Sequence, residues 1–122
     1  MAGVEVKNFD SPTETRPFED KGQVEIVEIA GHTVGKATFE PGWKWSECVK
    51  PVVGTESCQL RHVDVVHSGR LAIEHEDGTE VEIGPGDAYV IEPGHDAWVV
   101  GDEPVVGFEF ESQTAEQYAK SS

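Results

Sequence analysis

The chain has 122 residues, of which 37% are hydrophobic, enough for one domain with a core of its own. Acidic residues number 24 against 9 Lys and Arg, a formal charge of -15. A surface of that sign repels phosphate backbones and anionic lipid, so neither a nucleic-acid nor a membrane partner is expected.

No apolar run approaches the ~20 residues of a membrane-spanning helix. The N-terminal stretch MAGVEVKNFD has no basic region leading into an apolar one, so a cytoplasmic protein is expected. Cys48 and Cys58 do not make a disulfide framework and read as reduced thiols.

Residues 1–20 hold Pro12, Pro17, many charges and scattered apolar side chains, the texture of an extended arm. From Gln23 apolar residues alternate, and Ala30-Gly31 breaks the run before a hairpin partner from His32 to Phe39. Pro41-Gly42 turns the chain into a strand on which Trp43, Trp45 and Glu47 share one face. Gln59 to Val66 is strand-like, and Leu71 to His75 and Thr79 to Ile83 flank Asp77-Gly78 as a hairpin. Ala88 to Ile91, Ala97 to Val100 and Val105 to Phe110 complete the strands, separated by Gly-Pro turns. The tail at 112–122 is the one good helix candidate. About eight or nine short strands at regular spacing, with no βαβ alternation, predict an all-β sandwich or small barrel over 21–111.

Val65-Val66-His67-Ser68-Gly69-Arg70-Leu71 resembles the end of the first motif of the cupin superfamily, and Gly86-Asp87 through Pro93-Gly94-His95 resembles the second. The resemblance covers roughly residues 37–110 and implies a cupin-type jelly-roll β-barrel, here with an N-terminal arm and a short C-terminal helix. The family hosts metal-dependent oxygenases, isomerases, sugar-binding modules and storage proteins, so the resemblance implies a fold more sharply than an activity. Laid on the family pattern, the closing glycine of the first motif matches Gly69, its glutamate falls on His62 and its two histidines fall on Glu56 and Cys58. In the second motif, Gly86 and Gly94 match, while the histidine falls on Ala97 and the asparagine on Gly101. None of the four usual ligand positions carries its usual residue, so any metal would be held by a non-standard set. The resemblance also implies a homodimer.

Period two alone places Glu56, Cys58, Leu60, His62, Asp64 and Val66 on one strand face. On an unbroken strand Cys58 and His62 would lie ~13 Å apart, too far for one ion without a bend. His95, in the loop after Pro93-Gly94, would turn inward to give a Cys58, His62, His95 set, with Glu56 or Glu47 as a fourth group. Thiolate and imidazole suit zinc or copper better than magnesium or calcium; iron, manganese and nickel stay within the range of divalent transition metals considered. The other reading is a metal-free pocket in which His62 donates to a buried carboxylate such as Asp64 and Cys58 is a small apolar filler. Trp43, Trp45 and Trp98 would wall a pocket for an aromatic or sugar-like guest.

The expected function is therefore a small-molecule-binding cupin with a pocket of Trp43, Trp45, Glu47, His62, His95 and Trp98. Two alternatives stand beside it. One is a metal-dependent oxygenase or isomerase acting on a small organic acid or aromatic, with Glu56 or Glu47 as ligand or base. The other is a non-catalytic structural or regulatory module.

Overall fold

Alternation of apolar and polar residues builds two antiparallel sheets. The computed structural model describes residues 3–18, 20–55, 57, 58 and 61–110, with the side chains of Val52 and Val53 left aside. Strands β1 (Glu14–Pro17), β2 (Gly22–Ile29), β3 (His32–Phe39), β4 (His62–Ser68), β7 (Ala88–Ile91) and β9 (Val105–Phe110) form a six-stranded sheet in the order β1-β2-β3-β9-β4-β7. Strands β5 (Leu71–His75), β6 (Glu80–Ile83) and β8 (His95–Val99) form a three-stranded sheet in the order β6-β5-β8. Beyond β3 the neighbours in the larger sheet are far apart in sequence, β3 beside β9, β9 beside β4 and β4 beside β7; this is the crossed connectivity of a jelly roll.

The inner faces of the two sheets meet in one apolar cluster. Trp43, Trp45, Val66, Leu71, Ile73 and Ile83 are among its buried members. Inner positions obey period two: along β8 His95, Ala97 and Val99 are buried, and along β9 so are Val105, Gly107 and Glu109.

The turns follow their sequences. Ala30 and Gly31 both have positive φ, the mirrored two-residue turn that matches strand twist. The β5–β6 turn is wider than the Asp77-Gly78 pair implies. His75 N–H donates to the Thr79 carbonyl, which leaves Glu76, Asp77 and Gly78 as a three-residue loop with Gly78 in the left-handed region. Gly69 is fixed by two constraints: its φ is +80°, and a Cβ there would overlap the Pro104 carbonyl oxygen.

Three expectations need correction. First, the arm does not run free to residue 20. Its last part is β1, paired with β2 in register from Glu14↔Ile26 to Pro17↔Gln23, and Phe18 is buried. Farther out, Phe9 lies against Phe108 on the outer face, ring centroids 5.6 Å apart. Second, Trp43, Trp45 and Glu47 do not share a strand. Lys44 makes an isolated bridge to Trp98, and the chain then coils into α1 (Trp45–Cys48) and α2 (Lys50–Val53). The reason is visible in the spacing: Trp45, Cys48 and Val49 stand at i, i+3 and i+4, and all three are buried. Third, His95 is not in a loop; it opens β8. The helix expected at 112–122 lies outside the described residues. Among the described residues, no helix is long and apolar enough to cross a membrane.

Candidate functional site

Cys58 and His62 belong to different stretches of chain, which removes the strand-length separation between them. β4 begins only at His62, whereas Cys58 pairs with the start of β8. Cys58 N–H donates to the His95 carbonyl at 2.7 Å, and Gly94 N–H donates to the Cys58 carbonyl at 2.7 Å. This backbone clasp sets Cys58 beside His95, while β4 brings His62 in from the opposite sheet. Cys58 Sγ lies 3.5 Å from His62 Nε2, and the imidazoles of His62 and His95 meet edge to face with centroids 5.2 Å apart.

Cys58, His62 and His95 each offer one ligand atom within 4.8 Å of the others. Bonds of ~2.0–2.3 Å to a tetrahedral ion need ligand separations of roughly 3.3–3.8 Å, so a small inward shift closes the set. The tautomer of His95 suits this use. Its Nδ1 lies 2.9 Å from the Glu92 carbonyl, an acceptor, so Nδ1 donates and Nε2 keeps its lone pair. Burial holds His62 neutral, its pKa pushed down to about 4. His95 is likewise pushed down to about 4 by burial, against the opposing pull of the Glu92 carbonyl. Neutral imidazoles and a cysteine sulfur, which ligates once its thiol proton is released, are the donor set of a soft or borderline transition ion, so the residues fit such a metal.

A second group stands on the other side of the His62 ring. His62 Nδ1 lies 4.0 Å from Glu109 Oε1, and the ligand atoms of His62, Asp64 and Glu109 all fall within 4.8 Å of one another. Asp64 and Glu109 are directly paired across β4 and β9, both inward and 5% exposed. Burial first, and the Glu109 charge second, raise the Asp64 carboxyl to about 8, so it keeps its proton at neutral pH. The Tyr89 hydroxyl donates to Asp64 Oδ2 at 2.9 Å, and burial with the adjacent Asp64 drives the phenol well above its usual range. Oδ1 of Asp64 and the indole N–H of Trp43 are buried without a hydrogen-bond partner among the described residues.

Both groups line one partly open space of about 50 Å³ between the sheets. At ~10–15 Å³ for each water position it has room for more than one small guest atom cluster. Of the residues expected there, Trp43, Trp45, Cys58, His62 and His95 line it. Trp98 does not. On β8 it alternates outward from His95 and Ala97, and its ring lies under Lys44 Nζ at 5.2 Å. Glu47 does not either, being exposed on α1. Glu56 lies outside the described residues. The sequence reading missed Glu109 and Tyr89. The signal for Glu109 was present: in Val105-Val-Gly-Phe-Glu-Phe110 it shares the buried parity of Val105 and Gly107. Asp64 entered only as a partner for His62. The structure instead puts Glu109 against His62 Nδ1 and turns Asp64 toward Tyr89.

Sheet order, the Gly69 turn and the inward histidines define the class: the chain has the cupin fold, a double-stranded β-helix. Solved structures agree. A protein of unknown function from Acidithiobacillus ferrooxidans superposes with a TM-score of 0.59 at 18% identity, covering 83% of this chain and 88% of that one. The KdgF protein of a Halomonas species gives 0.56 at 20% identity, over 84% of this chain and 92% of that one. Oxalate decarboxylase of Lactobacillus farciminis, in its formate complex, gives 0.55 at 19%, over 89% of this chain and 33% of the longer enzyme. No protein-family model matches the sequence, and no curated protein matches it.

Proposed function

We propose that the protein is a small-molecule-binding cupin whose pocket holds a divalent transition metal through Cys58, His62 and His95. The observation that carries this reading is the convergence of two neutral imidazoles and a cysteine sulfur on one buried space, reached from two sheets and a backbone clasp. Cys58 and His95 are held by main-chain hydrogen bonds, so their placement does not depend on the metal. When bound, the ion would supply Lewis acidity at the pocket. Elemental analysis of protein purified without an affinity tag tests the reading. Near-stoichiometric zinc, copper, iron, manganese or nickel, lost in both His62→Ala and His95→Ala, is the expected result. Trace metal in the folded wild-type protein overturns it.

The enzyme reading draws support from Tyr89 and Asp64. A buried carboxyl that keeps its proton at neutral pH, beside a phenol, is a proton donor and acceptor within reach of the cavity. In that reading Asp64 takes the general acid–base role expected of Glu47 or Glu56.

The homodimer also belongs to this proposal. Val63, Val90 and Phe110 are 40%, 50% and 53% exposed on the outer face of the larger sheet, and Val63 and Val90 are directly paired. A second copy of this face is the occupant proposed for them, since packing apolar row on apolar row keeps the acidic remainder of each chain apart.

A further inference from the structure

Val81 holds an inward position that the barrel does not cover. It is directly paired with Ile73 and shares the parity of Ile83, both buried, yet it is 48% exposed. The reason is topological. β6 and β7 are the outermost strands of their sheets, and among the described residues no ladder joins one to the other. A slot of about 270 Å³ opens between them. Ile73, Val81 and Ile83 line it from the smaller sheet, and Tyr89, Val90 and Ile91 from the larger. Tyr89 and Ile91 also line the histidine cavity, so one wall serves both spaces.

The polar groups at the hairpin end of the slot are already engaged. Asp77 N–H donates to His75 Nδ1 at 3.1 Å, which leaves the ring proton on Nε2 to be donated to the Pro93 carbonyl at 3.0 Å. Glu92 accepts from Arg61 Nε at 2.9 Å, and Asp77 Oδ1 accepts from the Thr79 N–H at 2.9 Å. What the slot offers a guest is therefore aliphatic surface on two facing walls, and apolar burial against it is favourable in proportion to area.

We infer that the slot holds the aliphatic chain of an elongated guest whose head group lies in the histidine cavity behind Tyr89 and Ile91. The inference rests on reading that cavity as a ligand pocket and names the class of ligand, a linear alkyl compound in place of a compact sugar or aromatic acid. From Thr79 to Ile83 the slot runs along four strand rises, ~13 Å, room for an extended chain of medium length. Val90 stands at its outer lip, on the face proposed for a second copy, so a partner chain is the competing occupant. The shared wall favours the guest, because a molecule anchored in the cavity needs only to pass Tyr89 or Ile91 to continue into the slot.

Butan-1-ol, hexan-1-ol and octan-1-ol share a head group and differ in chain length. Each is titrated into the purified protein while tryptophan emission is followed, since Trp43 and Trp45 line the cavity. Affinity should rise about fourfold per added methylene, so octan-1-ol should bind about 16-fold tighter than hexan-1-ol. Val81→Glu, checked for folding by circular dichroism, puts a charge on the slot wall; it should weaken octan-1-ol by at least about tenfold and leave butan-1-ol unchanged. Val81→Thr keeps the branched shape, serves if the Glu variant does not fold, and should weaken octan-1-ol by about threefold. Octan-1-ol binding no tighter than butan-1-ol overturns the inference and leaves the pocket reading standing. So does undiminished octan-1-ol binding in either folded variant; a lower mass in light scattering alongside it gives the slot to a second copy. If none of the three alcohols saturates, the pocket reading fails and the chain site with it.

Discussion

Tyr89 and Asp64 face each other across the β4–β7 pairing, and the phenol closes that pair with a 2.9 Å hydrogen bond to Oδ2. Register fixes the contact: residues directly opposite on antiparallel strands carry side chains to the same face. The bond satisfies one oxygen of the buried acidic pair. Tyr89→Phe should therefore cost about 1 kcal/mol of stability in urea unfolding. It should also raise the Asp64 carboxyl further, since the phenol's donation favours the ionised form. Carboxyl carbon NMR reads the second effect, and an unmoved Asp64 titration would show that the hydroxyl points elsewhere in solution.

The pH dependence of the metal-free protein has two limbs of opposite sign. His62 and His95, depressed to about 4 from an ordinary 6.5, bind protons on unfolding between those values, so stability rises with pH across that window. Asp64, raised to about 8 from 3.8, releases its proton on unfolding, so its contribution is full below 3.8 and is lost as pH climbs through 8. From about 4 to 6.5 the two imidazoles outweigh the one carboxyl; above 6.5 only the carboxyl acts. Chelated protein should thus be most stable near pH 6.5, and Asp64→Asn should flatten the decline from 6.5 to 8. Denaturant midpoints taken at half-unit pH steps check both limbs. A wild-type curve still rising at pH 8 would contradict the assignment to Asp64.

Much of this fold is legible in the alternation of the strands. The pairs β2–β3 and β5–β6 fall where apolar positions alternate on either side of a Gly-containing turn, because such strands bury one face only. The site is less legible, for three physical reasons. Cys58 and His62 look distant because spacing along a strand is read from sequence, whereas here the strand starts after Cys58 and the backbone clasp to His95 decides. Trp45 fits both a two-residue and a helical period, and only Cys48 and Val49 distinguish them. Trp98 depends on where β8 begins: a strand opening at His95 sends Ala97 inward and Trp98 outward.

Metal binding should appear in stability as well as in elemental analysis. A ligand that binds only the folded chain adds about 2.7 kcal/mol at a hundredfold excess over its dissociation constant. Adding zinc to chelated protein should raise the melting temperature, and Cys58→Ser, His62→Ala or His95→Ala should abolish the rise. Glu47→Ala should leave it intact, because Glu47 is exposed on α1 and does not line the cavity. A zinc-dependent rise that survives all three ligand changes would place the ion somewhere else.

Association through the outer sheet makes a prediction about salt. Two chains of charge -15 repel, and screening shortens the reach of that repulsion to ~8 Å at physiological ionic strength. Dimers held by Val63, Val90 and Phe110 should strengthen between low and moderate salt, and Val63→Lys with Phe110→Lys should give monomers whose tryptophan emission is unchanged. Light scattering coupled to size exclusion reads the mass. A persistent dimer in the double variant would move the interface to another face.

Gly69 and Gly86 separate two costs that are usually confounded. Both have positive φ, +80° and +89°, but a Cβ at Gly86 meets nothing within 4 Å, whereas at Gly69 it overlaps the Pro104 carbonyl. Gly86→Ala should cost about 1–2 kcal/mol, the penalty of a left-handed residue with a side chain. Gly69→Ala carries that penalty and must in addition push apart the β4–β5 turn and the segment entering β9, the strand that bears Glu109. It should be the more destabilising of the two in urea unfolding, and its displacement of β9 should alter the Asp64–Glu109 pairing. Equal losses at the two glycines would mean that the chain around Pro104 yields without cost, and that the turn does not hold the acidic strand in place.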